Sequence, residues 1–324
     1  MTRRDVVRKA IRFQNPEYTP LMYYSPRFID RADAIPVAIE TMFGGDNELT
    51  CEWGFEWEAN NVQFKFGIAK KPAIDSYEDL DSYIPLNVDR KGRFDEFFKL
   101  KSQSPDTYYF ADFVLSGFTI ASFIRGFDEF LMDFYLEPEN LSKLLDIVFG
   151  TEEQLIRKCA EAGFDGIYLA DDWGTQSSLL INPELIREYF IPRYKKQVEL
   201  AHSLGMDVML HSCGYIYDII GDLIHAGFDV INPGQANLNG IEKLGTSFAG
   251  KIAFGCPVGY QTTAIKGTPK DLENEIMDYL KYLNTDKGGF MGFVNSPGAL
   301  VALGASKENE DVMRMTFEKF CGRR

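Results

Sequence analysis

Two short stretches place reactive side chains where an apolar run gives way to a turn. His211-Ser212-Cys213-Gly214 follows the run Asp207-Val208-Met209-Leu210. Residues two apart on a strand point the same way, so the His211 imidazole and the Cys213 thiol are expected to face one point. Both are good zinc ligands, and a catalytic zinc takes three protein ligands and keeps one position open. The plainer alternative is a buried histidine beside an inert thiol. Asp171-Asp172 ends the run Asp165-Gly166-Ile167-Tyr168-Leu169-Ala170. Adjacent carboxylates after a buried strand are costly unless paired, hydrogen-bonded or open to solvent. Asp171 and Asp172 are therefore candidates for a general acid or base, or for orienting a ligand such as His211. Capping of the next turn by one, with solvation of the other, is the alternative.

Further polar groups sit at the same kind of exit. Cys256 ends Ile252-Ala253-Phe254-Gly255, either as a third metal ligand or as a small packed hydrophobe. Asn232, Gln235, Gln261 and Asn295 are neutral hydrogen-bonding groups of the sort that orient a small ligand, and Trp173 is a candidate to line the same site. The chain contains no Gly-rich phosphate loop with Lys-Ser/Thr, no Gly-x-Gly-x-x-Gly fingerprint and no Gly-x-Ser-x-Gly elbow.

Short, nearly continuous apolar runs read as strands buried on both faces, as in a parallel sheet. They fall near residues 20, 50, 110, 168, 209, 230, 253 and 292. The second is Glu48-Leu49-Thr50-Cys51-Glu52-Trp53-Gly54. Helical patterns lie between most of them: a first helix capped by Thr2, an aromatic-rich one over 119–134, and others over 138–162, 183–204, 215–226, 269–283 and 308–320. This alternation predicts an α/β fold, a single eight-stranded βα barrel spanning 1–324, with its site at the C-terminal ends of the strands. Residues 55–100 read as an excursion from it. Arg27 and Arg31 are four apart and, if helical, share a face that could clamp a carboxylate.

The chain has 324 residues, 45% hydrophobic and 25% charged, with a formal net charge of −14. That charge argues against a general nucleic-acid binder. Five widely spaced cysteines do not make a disulfide framework. No run is long enough to span a membrane, and the first ten residues lack the apolar core of a signal peptide. The protein therefore reads as cytoplasmic, with reduced thiols. Its many aromatic residues suggest a homodimer.

The sequence resembles the uroporphyrinogen decarboxylase superfamily, within it the branch of cobalamin-dependent methyltransferases and their uncharacterised relatives. The resemblance rests on Cys51-Glu52-Trp53-Gly54-Phe55-Glu56-Trp57, Asp171-Asp172-Trp173-Gly174-Thr175-Gln176, Ile181-Asn182-Pro183-Glu184, His211-Ser212-Cys213-Gly214, Gly227-Phe228-Asp229-Val230-Ile231-Asn232-Pro233, Gly267-Thr268-Pro269 and Lys307-Glu308-Asn309. It implies a βα barrel in which zinc is held by a His-x-Cys pair and a later cysteine. His211 and Cys213 match the pair. The later cysteine falls near Ala299, where this chain has none, which leaves Cys256, Glu52, Asp171 or a water for the third position. The expected activity is corrinoid-linked methyl transfer between a small methyl donor or thiol acceptor and a separate corrinoid protein docked on the barrel mouth. Two other expectations stand beside it. One is a metal-free decarboxylase of a small acid, in which Arg27 or Arg31 faces the site. The other is a barrel that binds a corrinoid or tetrapyrrole without turnover.

Overall fold

The computed structural model describes residues 1–41, 50–57 and 69–322. In chain order the strands are β1 (Leu21–Tyr23), β2 (Ala34–Ala38), β3 (Glu56–Trp57), β4 (Ala69–Lys71), β5 (Tyr108–Phe113), β6 (Gly166–Ala170), β7 (Asp207–Ser212), β8 (Val230–Pro233), β9 (Ala253–Cys256) and β10 (Phe290–Val294). All but β3 and β4 form a closed barrel in the spatial order β1-β10-β9-β8-β7-β6-β5-β2, and every pairing in it is parallel. Strands β3 and β4 pair antiparallel in a separate two-stranded sheet. This is the α/β barrel that the alternation of runs predicts.

Side chains alternate between two cores. Met22, Ala34, Tyr108, Phe110, Tyr168, Met209, Val230, Ala253, Met291 and Phe293 form the inner one. Their strand neighbours, such as Tyr23, Ile35, Tyr109, Leu169, Leu210 and Phe254, pack in the outer core with the apolar faces of the helices. The helix Arg3–Ile11, started by a Thr2–Asp5 capping box, closes the N-terminal end of the barrel by adding Val7 and Ile11 to the inner core. Arg4 and Arg8 reach Asp165 at 2.9 and 3.0 Å, and Arg12 reaches Asp207 at 2.7 Å. These two acids sit where β6 and β7 begin, so the ion pairs fasten the plug to the strands that carry the reactive residues. No helix among the described residues is long and apolar enough to cross a membrane.

Three elements differ from the sequence reading. The second barrel strand is Ala34–Ala38 rather than 48–54. Pro36 lies inside it, opposite Phe110 of β5, and a proline makes such a run look unlike a strand. Residues 48 and 49 lie outside the described residues. Thr50 is joined to Glu56 by an isolated antiparallel bridge rather than a barrel strand, around a turn in which Gly54 has φ +87°. The aromatic-rich helix is two helices, Gly117–Arg125 and Phe127–Leu136, broken at Gly126 with φ +94°. The helix that opens at Pro183 widens into a π turn over Ile186–Phe190 before running on as Ile191–Ser203. Pro192 follows that turn and brings no N–H to the helical ladder, which accounts for the irregular turn before it.

The long helix Pro138–Ala162 carries a fully buried acid, Glu152. Its Oε1 accepts from the Gly117 N–H at 2.9 Å and its Oε2 from Gln197 Nε2 at 2.6 Å. Burial pushes its pKa up to about 8 although both hydrogen bonds lower it. The folded protein therefore keeps this proton up to about pH 8, whereas an unfolded glutamate releases it near the ordinary value of 4.5. Across that window the folded state binds more protons, so this group makes stability fall as pH rises. Gln197 Oε1 has no partner, so a flipped Gln197 amide can accept from an amide at position 152. Glu152→Gln is expected to fold and to gain on the wild type as pH rises from about 5 to about 8, by at most about 1.4 kcal/mol per pH unit. Urea unfolding across that range measures it, and parallel pH profiles for the two proteins would contradict the assignment.

Candidate metal and ligand site

Strands β6 and β7 are in register with Ala170 opposite His211. Tyr168 and Met209 point into the barrel, so the alternation also turns Asp172, His211 and Cys213 toward the mouth. One ligand atom from each of these three lies within 4.8 Å of the others. His211 Nε2 is 3.4 Å from Cys213 Sγ and 3.8 Å from Asp172 Oδ1. The Cys213 N–H donates to Asp172 Oδ1 at 2.8 Å and holds the carboxylate beside the imidazole. Gly234 at the end of β8 lets the chain press close: a Cβ there would meet His211 Cε1 at 3.1 Å and Cys213 Sγ at 3.2 Å.

The hydrogen bonds decide which imidazole nitrogen is free. His211 Nδ1 lies 2.5 Å from Asn232 Oδ1, which also accepts from the Tyr168 hydroxyl at 2.8 Å. The Asn232 amide is oriented by its Nδ2, which donates to the Gly255 carbonyl. Asn232 thus presents an acceptor, so Nδ1 carries the proton and Nε2 offers a lone pair toward Cys213 and Asp172. A metal-binding histidine needs this arrangement. Burial and the Asp172 charge push the Cys213 thiol well above its ordinary value, so without a cation Sγ keeps its proton.

The other candidates fall in different places. Asp171 points away from the mouth. Its carboxylate accepts from the Phe118 and Thr119 N–H groups, both at 2.8 Å, from Thr119 Oγ1 at 2.7 Å and from the Tyr194 hydroxyl. It caps the helix Gly117–Arg125, and burial lifts its pKa to about 7 against all four hydrogen bonds. Trp173 is buried in the outer core, where it packs on Phe118 and Phe190 and donates to the Tyr194 hydroxyl. It does not line the mouth, because its side chain points the same way as that of Asp171. Cys256 also faces outward, in the helix-packed layer, and is not part of the triad. Glu52 lies between β2 and β3, held by Arg93 at 2.7 Å, Arg90 at 3.2 Å and the Thr41 N–H at 2.6 Å. The group that the structure brings beside His211 and Cys213 is therefore Asp172 rather than Cys256, Glu52 or Asp171. Ala299 opens the short helix Ala299–Ala302 and has no donor to offer.

Gln235 supports the site from behind: its buried Oε1 accepts from the Gly214 N–H at 2.6 Å and fixes the turn that follows Cys213. Gln261 is exposed in the turn after β9. Asn295 donates to the Tyr260 hydroxyl at 3.0 Å. Arg27 and Arg31 line a cleft of about 580 Å³ that Asn295 also borders, and Arg31 pairs with Glu318 at 3.0 Å. Sequence reasoning passed over Asp112 and Tyr24. Asp112 lies near the end of β5 on the same face as Tyr108 and Phe110; the two-residue period groups the three, and the structure turns that face inward.

A family model described as uroporphyrinogen decarboxylase (URO-D) matches residues 55–320. No curated protein sequence matches the chain. Among solved structures, a methyltransferase from Methanosarcina mazei superposes with a TM-score of 0.73 at 14% identity, covering 99% of each chain. A D-psicose 3-epimerase from Clostridium cellulolyticum H10 gives a TM-score of 0.45 at 8% identity over 93% of this chain and 96% of that one. A chitinase from Chromobacterium violaceum gives 0.42 at 10% identity over 92% and 99%. Identities this low speak to the fold alone. The family rests on the matched residues, which span most of the chain: this protein belongs to the uroporphyrinogen decarboxylase family.

Proposed function

We propose that this protein is a methyltransferase that moves a methyl group between a small methyl donor or thiol acceptor and a corrinoid protein docked on the barrel mouth, with zinc held by Asp172, His211 and Cys213. The observation that carries the reading is the donor triad, with His211 tautomerically set so that Nε2 faces the other two ligand atoms. Membership of the family and the likeness to a methyltransferase fold support it. One imidazole nitrogen, one sulfur and one carboxylate oxygen suit a borderline-soft ion, and three protein donors leave a position for substrate.

Zinc bound there would supply Lewis acidity, lowering a thiol's pKa or polarising a methyl ether's oxygen. The chain's own residues prepare the site. Asn232 keeps the proton on His211 Nδ1. The Cys213 N–H fixes the near oxygen of Asp172. Cys213 gives up its Sγ proton on loading, as any thiolate ligand must. Gln235 and the capped helix behind Asp171 hold the β6 and β7 exits in place, so the three donors converge without a change of backbone.

Protein purified without chelator is expected to contain about one zinc per chain. His211→Ala and Cys213→Ala should lose it, while Cys256→Ala should keep it. Absence of zinc from the wild type, even after zinc is added back, would remove the metal from the reading. Asn232→Ala is expected to retain the three donors but to weaken zinc binding about 10- to 100-fold, measured by competition with a chelating dye. In assays pairing reduced cobalamin with methyl ethers, amines and thioethers, and methylated cobalamin with thiols, turnover is expected to fall about a hundredfold or more in His211→Ala. The change in corrinoid absorbance reads it, and failure of every pair would reject methyl transfer.

A further inference from the structure

Asp112 is a carboxylate at the mouth that the metal reading leaves unused. It is the second-to-last residue of β5, in register with Ala38 of β2 and Tyr168 of β6, and is 2% exposed. Its Oδ2 accepts from the Tyr24 hydroxyl. Its Oδ1 is enclosed and has no hydrogen-bond partner, and no lysine or arginine pairs with it among the described residues. The surroundings are aromatic. The Tyr24 ring stacks on Phe293 at 6.0 Å and meets Tyr168 edge-on at 6.3 Å, and Tyr168 in turn meets the His211 ring at 6.3 Å. A second acceptor nearby, Asn295 Oδ1, is also enclosed without a donor.

Between Asp112 and the metal donors the mouth thus offers acceptors, negative charge and ring faces, and no lysine or arginine among the described residues pairs with Asp112 or with the three donors; Arg27 and Arg31 line the neighbouring cleft. Each enclosed acceptor without a donor costs free energy, and a buried carboxylate without a counter-charge costs more. Burial accordingly holds the Asp112 carboxyl up to about 7. A neutral hydroxyl or amide would satisfy the acceptors but not the charge. An organic ammonium ion does both, since it brings N–H or polarised C–H donors, a positive charge and a weakly hydrated surface that aromatic rings attract.

We infer that the small molecule filling the mouth carries an organic ammonium group, seated against Asp112, Tyr24 and Tyr168, with its reacting end toward Asp172, His211 and Cys213. The orientation of the reacting end rests on the proposed function; the ammonium seat does not. For methyl transfer, the inference narrows the substrate to a methyl donor or thiol acceptor that also bears a cationic nitrogen.

Calorimetric titration with choline, and with its neutral isostere in which carbon replaces the nitrogen, tests the seat directly. Choline is expected to bind the wild type at least about tenfold more tightly than the isostere. Asp112→Asn, which keeps an acceptor for Tyr24 and the same volume, should lose that preference while leaving isostere binding unchanged. Equal binding of the two probes, an unchanged choline affinity in Asp112→Asn, or no choline binding at millimolar concentration would each overturn the inference. The comparison of two probes on the wild type needs no variant and so does not depend on how Asp112→Asn folds. Binding is read without turnover. Choline binding without any methyl transfer would reject the proposed function alone, and turnover of a neutral donor without choline binding would reject the ammonium seat alone.

Discussion

In a closed parallel barrel, every second residue of each strand must enter a space only wide enough for packed side chains, while its neighbours meet the helices. Here that alternation runs unbroken to the strand ends. Met209, His211 and Cys213 continue one line into the barrel, as do Tyr168, Ala170 and Asp172. The lower levels of both lines are apolar and fill the core. The upper levels carry donors, and parallel pairing of β6 with β7 sets them side by side. The site is thus the top layer of the core, held by the same register that keeps the lower layers packed.

The buried acids divide by the side they face. Glu152 and Asp171 lie among the helices, and their oxygens are hydrogen-bonded to donors on the helix Gly117–Arg125 and on Gln197 and Tyr194. These contacts tie the helices to the exit of β6. Asp112 faces inward and receives a single donor, Tyr24. Glu152 and Asp171 are hydrogen-bonded at both oxygens, whereas Asp112, turned to the mouth, is bonded at one. A group left short of donors inside a protein costs stability, which makes it the place where a ligand's own donors count most.

Donor chemistry separates this chain from the pattern its motifs resemble. The His-x-Cys pair is in place, but the later cysteine is replaced at about Ala299, on a helix with nothing to coordinate. In the proposed zinc site Asp172 takes the third position, from the neighbouring strand. A carboxylate in place of a thiolate leaves a harder donor set at the same net charge, which makes an ion bound there a stronger Lewis acid toward an added ligand. Membership of the uroporphyrinogen decarboxylase family is consistent with this freedom, since the barrel holds its donors on separate strands that can change independently.

Much of this was legible in the sequence. Seven of the eight strands and the principal helices follow from apolar runs, prolines and glycines, because those signals are local. Pairing of His211 with Cys213 also follows, since two residues on one strand share a face whatever the rest of the chain does. The strand Ala34–Ala38 was hidden by Pro36, and the break at Gly126 by the apolar pattern that continues across it. What the sequence alone did not decide was the phase of the strands. A run buried on both faces is apolar at every position, so hydropathy does not say which residues look inward. That phase turns Asp172 to the mouth while sending Asp171, Trp173 and Cys256 to the helices, and it brings Asp112 and Tyr24 together from strands far apart in the chain. Only barrel closure decides it, because each strand's facing is set by its neighbours' register around the whole ring.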